Sequence, residues 1–178
     1  KGNIKITLPL VGQHHIKNFL AATVATLELG MTLQEIKERA TKILPTAHRM
    51  EIKQLGNFLL IDNSYNSNPE SANSSLNLLK SFDKRKIIIT PGFVELGREA
   101  SNTNKKFGAK IGQIASEVII VGVNAKKDLA HGLREVSYPS ETTHFVNTTE
   151  QALTLAQKLS NGMNTVVLLE NDLPDQYF

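Results

Sequence analysis

The sequence predicts an α/β fold: a mainly parallel sheet with helices on both faces, preceded by a mostly helical segment. Three observations predict it. From about residue 50 onward, short apolar runs alternate with helical stretches of roughly 10 to 15 residues. The runs are continuously apolar, as strands covered on both faces must be. Helix-start signals stand directly in front of several of the helical stretches.

The opening segment begins with a β-like run at Ile4 to Leu8, broken by Pro9 and Gly12. An Ala-rich helix is expected from about His15 to Leu29, stopped by Gly30. Thr32 and Glu35 make a capping box for a second helix, whose Leu33, Ile36, Ala40 and Ile43 recur at helical spacing until Pro45. A domain boundary is expected here, with residues 1–47 in one unit and 48–178 in another.

Beyond it, Glu51 to Gln54 and Phe58 to Ile61 read as strands joined by a turn at Gly56 and Asn57. Asn68 caps a helix whose first position is Pro69, where the missing amide hydrogen costs nothing, and Ala72, Leu76 and Leu79 form its buried stripe. A strand at Ile87 to Ile89, a helix near residues 102–115, a strand at Val118 to Val121 and a helix near residues 126–133 follow. A short strand at His144 to Val146 leads to Thr148 and Gln151, a second capping box, with Ala152, Leu155, Ala156 and Leu159 lining the helix. Gly162 stops that helix, and Val166 to Leu169 is the last strand.

The 178 residues, 40% hydrophobic and 21% charged, can bury a core and have room for one domain and a piece of another. Twenty basic against 17 acidic residues leave a net charge of +3, too small and too evenly spread for a nucleic-acid binder. Cysteine is absent, which excludes disulfides, thiolate metal sites and a cysteine nucleophile, and fits a reducing cytoplasm. No run approaches the ~20 apolar residues of a membrane span. The chain starts at Lys1 without a Met or a signal-type segment, and reads as a piece of a longer protein.

In an open α/β sheet ligands gather at the carboxyl ends of the strands, so the loops at residues 62–69, 90–101, 122–125, 147–148 and 170–178 are the places to look. The first, Asp62 to Pro69, is dense in short polar groups with one aromatic, Tyr65. Such groups bond a ribose or base edge, and a helix N-terminus favours an anion; Asx turns and an N-cap select the same residues, and composition divides the two readings evenly. In the second, Glu95 stands between Gly92 and Gly97, and alone reads as a loop hydrogen-bonding residue. His14 and His15 are adjacent, a poor pair of ligands on a helix, while His48, His131 and His144 lack ligand spacing and read as surface or loop residues. No metal site is expected. There is no G-x-x-x-x-G-K-[ST] phosphate loop and no G-x-G-x-x-G fingerprint, which argues against nicotinamide chemistry.

Four blocks together resemble the Mur ligase family. Gly12, His14, His15, Asn18, Ala21 and Ala22 are similar to the G-x-H-N-x-x-N-x-x-A-A segment that closes the central domain, and His48, Arg49 and Glu51 to G-R-x-E at the start of the C-terminal domain. Asp62 to Pro69 resembles D-D-S-Y-N-A-N-P, and Glu95, Leu96 and Gly97 resemble the E-L-G of the branch that adds D-alanyl-D-alanine to a UDP-N-acetylmuramoyl tripeptide. The resemblance implies the end of a central ATP-binding domain followed by a Rossmann-like C-terminal domain of a cytoplasmic, ATP- and Mg2+-dependent ligase of peptidoglycan synthesis. The phosphate loop would lie in an upstream ATPase domain. Its partners would be a UDP-N-acetylmuramoyl peptide and D-alanyl-D-alanine or another amine, with neither nucleic acid nor membrane.

Carried over residue by residue, the resemblance implies nucleotide binding by Asn18, Arg49, Asp62, Asn63, Tyr65, Asn66 and Asn68. The acid expected on the ribose hydroxyls is the second of the D-D pair, which here is Asn63. Asn104 stands where many relatives have His, and Phe93 and Val94 replace the usual lead into E-L-G. Glu170, Asn171 and Asp172 stand where the family has K-G-S-R, so an acidic loop replaces a basic one, expected with Glu95 on the side of the amine substrate. A non-catalytic interaction or anion-binding module that kept the fold is the alternative reading.

Overall fold

The computed structural model describes residues 3–65 and 67–172. Two helices come first, α1 (Gln13–Glu28) and α2 (Leu33–Ala40), followed by the strands β1 (Glu51–Leu55) and β2 (Phe58–Tyr65). Then come α3 (Pro69–Lys80), β3 (Arg85–Thr90), α4 (Ala100–Gly112), β4 (Glu117–Val121), α5 (Lys126–Glu135), β5 (Thr143–Val146), α6 (Thr149–Leu159) and β6 (Thr165–Asp172). The six strands form one sheet in the order β1-β2-β6-β3-β4-β5. β1 runs antiparallel to β2 through a tight hairpin at Gly56 and Asn57, with Leu55 opposite Phe58; Gly56 takes the positive φ (56°) such a turn requires. All other pairs are parallel.

The apolar runs sort by parity onto the two faces. Ile61, Ile88, Val118, Ile120, Val166 and Leu168 meet Leu76 and Leu79 of α3, Phe107 and Ile111 of α4, and Leu129 and Leu133 of α5. Phe58, Leu60, Ile87, Ile89, Ile119, Val167 and Leu169 meet Ala152 and Ala156 of α6. Each such large side chain contributes about 1.5–3 kcal/mol on burial. α4 and α5 approach so closely that a Cβ on Gly132 would stand 1.9 Å from the Lys105 carbonyl oxygen, and one on Gly108 2.3 Å from that of Leu129.

The opening segment differs from expectation at one point. Residues 4–8 form no strand, because no neighbouring strand takes up their backbone hydrogen bonds. α2 has the full capping box: the Thr32 amide donates to Glu35 at 2.8 Å and the Glu35 amide donates to the Thr32 hydroxyl at 3.3 Å. The box at Thr148 is half formed. The Gln151 amide donates to Thr148, but the Gln151 side chain accepts from Asn147 one residue earlier. α1 carries an exposed apolar stripe, Ile16, Leu20, Val24 and Leu27, and with residues 3–10 and the outer side of α3 it bounds a groove of about 1100 Å³. No helix among the described residues is long and apolar enough to cross a membrane.

Two strands outrun their apolar cores. β2 continues through Asp62, Asn63 and Ser64 to Tyr65, and β6 through Glu170 and Asn171 to Asp172, because Asn63 pairs with Glu170 and Tyr65 with Asp172 across the parallel ladder. Residues 170–172 are therefore strand, and the expectation of an acidic loop beginning at Glu170 is corrected.

Candidate functional site

The carboxyl ends of β2 and β6, neighbours at the middle of the sheet, are where most of the expected site residues meet. The β1–β2 hairpin supplies the first part. Glu51 lies opposite Asp62 in its register, and Lys53 is two residues further along the same face of β1. The Lys53 ammonium bonds Asp62 Oδ2 at 2.8 Å and Glu51 Oε2 at 3.4 Å, and His48 Nδ1 lies 2.9 Å from the same Asp62 oxygen. Asp62 Oδ1 accepts from the Ser64 amide at 3.2 Å and the Ser64 hydroxyl at 2.6 Å. Burial pushes the Asp62 carboxyl up, but the bonds from Lys53, Ser64 and His48 together outweigh it and hold the group below its ordinary range. His48, Glu51 and Asp62 each bring a possible ligand atom within 4.8 Å of the others. Lys53, bonded to both carboxylates, already supplies the cation this cluster requires.

The segment leading into β1 is bent. His48 and Met50 both take left-handed backbone conformations (φ 61° and 54°), at about 1–3 kcal/mol each. Burial of the Met50 side chain and a 3.0 Å bond from the Tyr65 amide to the His48 carbonyl hold the bend in place. Its effect is to lay Arg49 across the end of β2, with its guanidinium 4.5 Å from the centre of the Tyr65 ring. Both side chains are exposed. An aromatic face and a permanent cation thus stand together beside Asp62, a combination suited to a base and a phosphate.

A second carboxyl group lies on the neighbouring strand β6. Glu170 is wholly buried, and the Asn63 amide group donates to both of its oxygens at 3.1 Å. The Ser67 and Ser75 hydroxyls also donate to it. Burial raises its pKa, against the opposing pull of these donors. Neither Glu170 nor Asn63 reaches the surface. Glu170 therefore does not face an amine substrate as expected, and Asn63 is turned inward onto Glu170 rather than outward toward a ribose. Strand alternation is the reason: Asp62 projects on one face of β2 and Asn63 on the other, against α3.

The remaining expected residues divide. Asn68 is the N-cap of α3, its side-chain oxygen accepting from the Glu70 and Ser71 amides at 3.1 and 2.9 Å, so its role here is a cap. Asn171 is buried with a left-handed backbone (φ 63°), accepts from the Ser67 amide at 3.0 Å and donates to the Gly92 carbonyl at 2.7 Å. It ties the first loop to the second. Asp172 accepts from the Thr149 hydroxyl at 2.6 Å. Glu95 is exposed with a left-handed backbone (φ 63°), and Asn18 is exposed on α1, outside this cluster. Asn66 lies outside the described residues, as do residues 173–178 of the expected 170–178 loop.

In the second loop Asn104 is buried and clamps Phe93, accepting from its amide at 2.8 Å and donating to its carbonyl at 2.9 Å. The Phe93 ring packs on Phe107, centroids 4.7 Å apart. All three histidines expected in surface or loop positions have acid partners: His48 on Asp62, His131 with Nε2 3.8 Å from Glu135, and His144 with Nε2 2.8 Å from the buried Glu117. Sequence reasoning also passed over Lys53 and Ser75, whose roles arise from strand register and from the packing of α3 on β6.

Residues 48–170 match the family described as Mur ligase, glutamate ligase domain. The UDP-N-acetylmuramoyl-tripeptide--D-alanyl-D-alanine ligase of Haemophilus influenzae is 27% identical over 92% of this chain, and its counterpart in Escherichia coli is 29% identical over 83%. The chain spans about a third of the length of these relatives, 34% and 32% respectively. A crystal structure of MurF from Acinetobacter baumannii superposes with a TM-score of 0.78 at 22% identity, covering 93% of this chain and 36% of that one. MurF from Thermotoga maritima, solved in complex with ADP, superposes at 0.74 with 15% identity, covering 91% and 35%. These neighbours share the six-stranded, mostly parallel architecture. With the family match extending over more than half of its length, the chain belongs to the Mur ligase family.

Proposed function

We propose that this chain is the part of an ATP-dependent amide ligase that closes over the nucleotide and positions the amine. The reaction is the addition of D-alanyl-D-alanine, or a related amine, to a UDP-N-acetylmuramoyl peptide in cytoplasmic peptidoglycan precursor synthesis. The observation that carries this reading is the exposed Arg49–Tyr65 pair at the carboxyl end of β2, beside the ionised Asp62. Family membership and the relatives named above support the substrates.

In this reading ATP, with Mg2+ neutralising charge on the transferring phosphate, supplies the activation of the peptide carboxylate that lets the amine form an amide. This chain's own residues bind and orient. Tyr65 offers a stacking face, Arg49 a cation for ribose or phosphate, and Asn18 an amide from the central-domain side toward adenine. Residues 1–47 belong to the end of the central domain and 48–178 to the C-terminal domain. Closure of the second upon the first excludes water and fixes the reacting groups. Glu95, Asn171 and Asp172 belong to the substrate side of the strand ends.

The test is ATP consumption by the full-length protein given UDP-N-acetylmuramoyl tripeptide, with and without D-alanyl-D-alanine. Phosphate release that requires both, with a product heavier by one dipeptide, is the expected result. Absence of release with every dipeptide and amino acid would overturn the reading in favour of a non-catalytic module, which the inward-facing Asn63 favours.

A further inference from the structure

Two departures from the family pattern, Asn63 where a second acid is expected and Glu170 among the residues that stand where the family has K-G-S-R, are 107 residues apart in the chain and in direct contact in the fold. They are opposite members of one parallel strand pair. An amide and two hydroxyls donate to the Glu170 carboxyl group, and among the described residues no cation bonds it. Its contacts also have a pattern. Asn63 and Ser67 flank Tyr65 in sequence, two residues before it and two after, and Glu170 bonds both. Asn171, the next residue of β6, holds the Ser67 amide. Glu170 and Asn171 thereby hold the residues two before and two after Tyr65, whose ring meets Arg49.

We propose that Glu170 is a positioning residue: through Asn63 and Ser67 it fixes the segment bearing Tyr65, and so sets the Arg49–Tyr65 face that meets the nucleotide. This rests on the ligase reading above. Glu170 touches no substrate. Its effect reaches the reaction as affinity for ATP, not as chemistry at the acyl group and not as recognition of the amine.

The experiment compares full-length wild type with Glu170→Leu, Glu170→Gln and a control, Val118→Ala, which removes core volume on β4 away from the site. Leucine keeps the bulk and removes every acceptor, whereas glutamine keeps one acceptor oxygen. The KM for ATP rises about tenfold in Glu170→Leu, the size expected for the loss of a buried hydrogen bond. It rises less in Glu170→Gln, and kcat stays within about twofold of wild type in both. Val118→Ala loses thermal stability with an unchanged KM. Hydrogen exchange of the Ser67 amide quickens in Glu170→Leu and not in Val118→Ala, a readout that does not depend on turnover. An ATP KM that follows stability alike in all variants overturns the proposal, as does a change confined to the KM of the amine. If Glu170→Leu does not fold, Glu170→Gln with wild-type KM and wild-type Ser67 exchange overturns it as well. Faster Ser67 exchange in a protein that never hydrolyses ATP would sustain the clamp and refute the ligase reading, so the two failures separate.

Discussion

Lys53 reaches diagonally across the β1–β2 hairpin to place its ammonium 2.8 Å from the carboxylate of Asp62, which is itself almost entirely buried. The pair joins the edge strand β1 to its neighbour β2, and its removal has a predictable pH signature. The folded-state pKa of Asp62 lies below its ordinary 3.8, so its contribution to stability is present in full above that value and is lost as pH falls through the folded pKa. Lys53→Met leaves the carboxylate with Ser64 and His48 and weakens the counterweight to burial. Denaturant unfolding at pH 7 is expected to show a loss of about 1–2 kcal/mol, smaller than for a fully buried pair because Lys53 is partly exposed. The difference from wild type should vanish in acid, once Asp62 is protonated in both. A difference that stays constant down to pH 2 would mean that the pair carries no such linkage.

Gly132 on α5 faces the backbone of α4, where an added Cβ would stand 1.9 Å from the Lys105 carbonyl oxygen and 2.7 Å from the Ala109 amide nitrogen. Backbone cannot step aside as a flexible side chain can. Gly132→Ala gains about 1 kcal/mol in helix propensity and loses about 3 kcal/mol to the clash, so a net loss of about 2 kcal/mol is expected. Thermal unfolding that is unchanged or raised would show that the two helices part without cost.

Arg49 is exposed, and its contact with Tyr65 contributes about 0.5–1 kcal/mol to the fold. Arg49→Ala should therefore leave the melting temperature nearly unchanged. Turnover of the full-length protein should fall at least tenfold, the order expected when a charge-assisted contact is lost. Turnover at the wild-type level would remove Arg49 from the proposed nucleotide contacts.

How legible this was depended on whether a signal lay within one element or between two. Asn68 and Pro69 announced the start of α3, and Thr32 with Glu35 that of α2, because capping is local chemistry. The strand cores were legible as apolar runs. Their polar ends were not: Asp62 to Tyr65 and Glu170 to Asp172 resemble loop composition, and only their mutual pairing makes them strand. Lys53 and Ser75 were missed for a related reason. Nothing near either in sequence names Asp62 or Glu170 as its partner; hairpin register and the packing of α3 on β6 do.

The place of β6 in the sheet has a consequence for synthesis. This strand lies between β2 and β3, yet it follows all five other strands in the chain. As the polypeptide leaves the ribosome, the β1–β2 hairpin and the β3-β4-β5 group emerge as two separate pieces of sheet, each with an unpaired edge, and no strand pairing joins them until residues 165–172 arrive. A nascent chain stalled before Thr165 would thus hold two half-sheets ready to pair with foreign strands. A nonsense codon there should yield aggregated rather than shortened, soluble product.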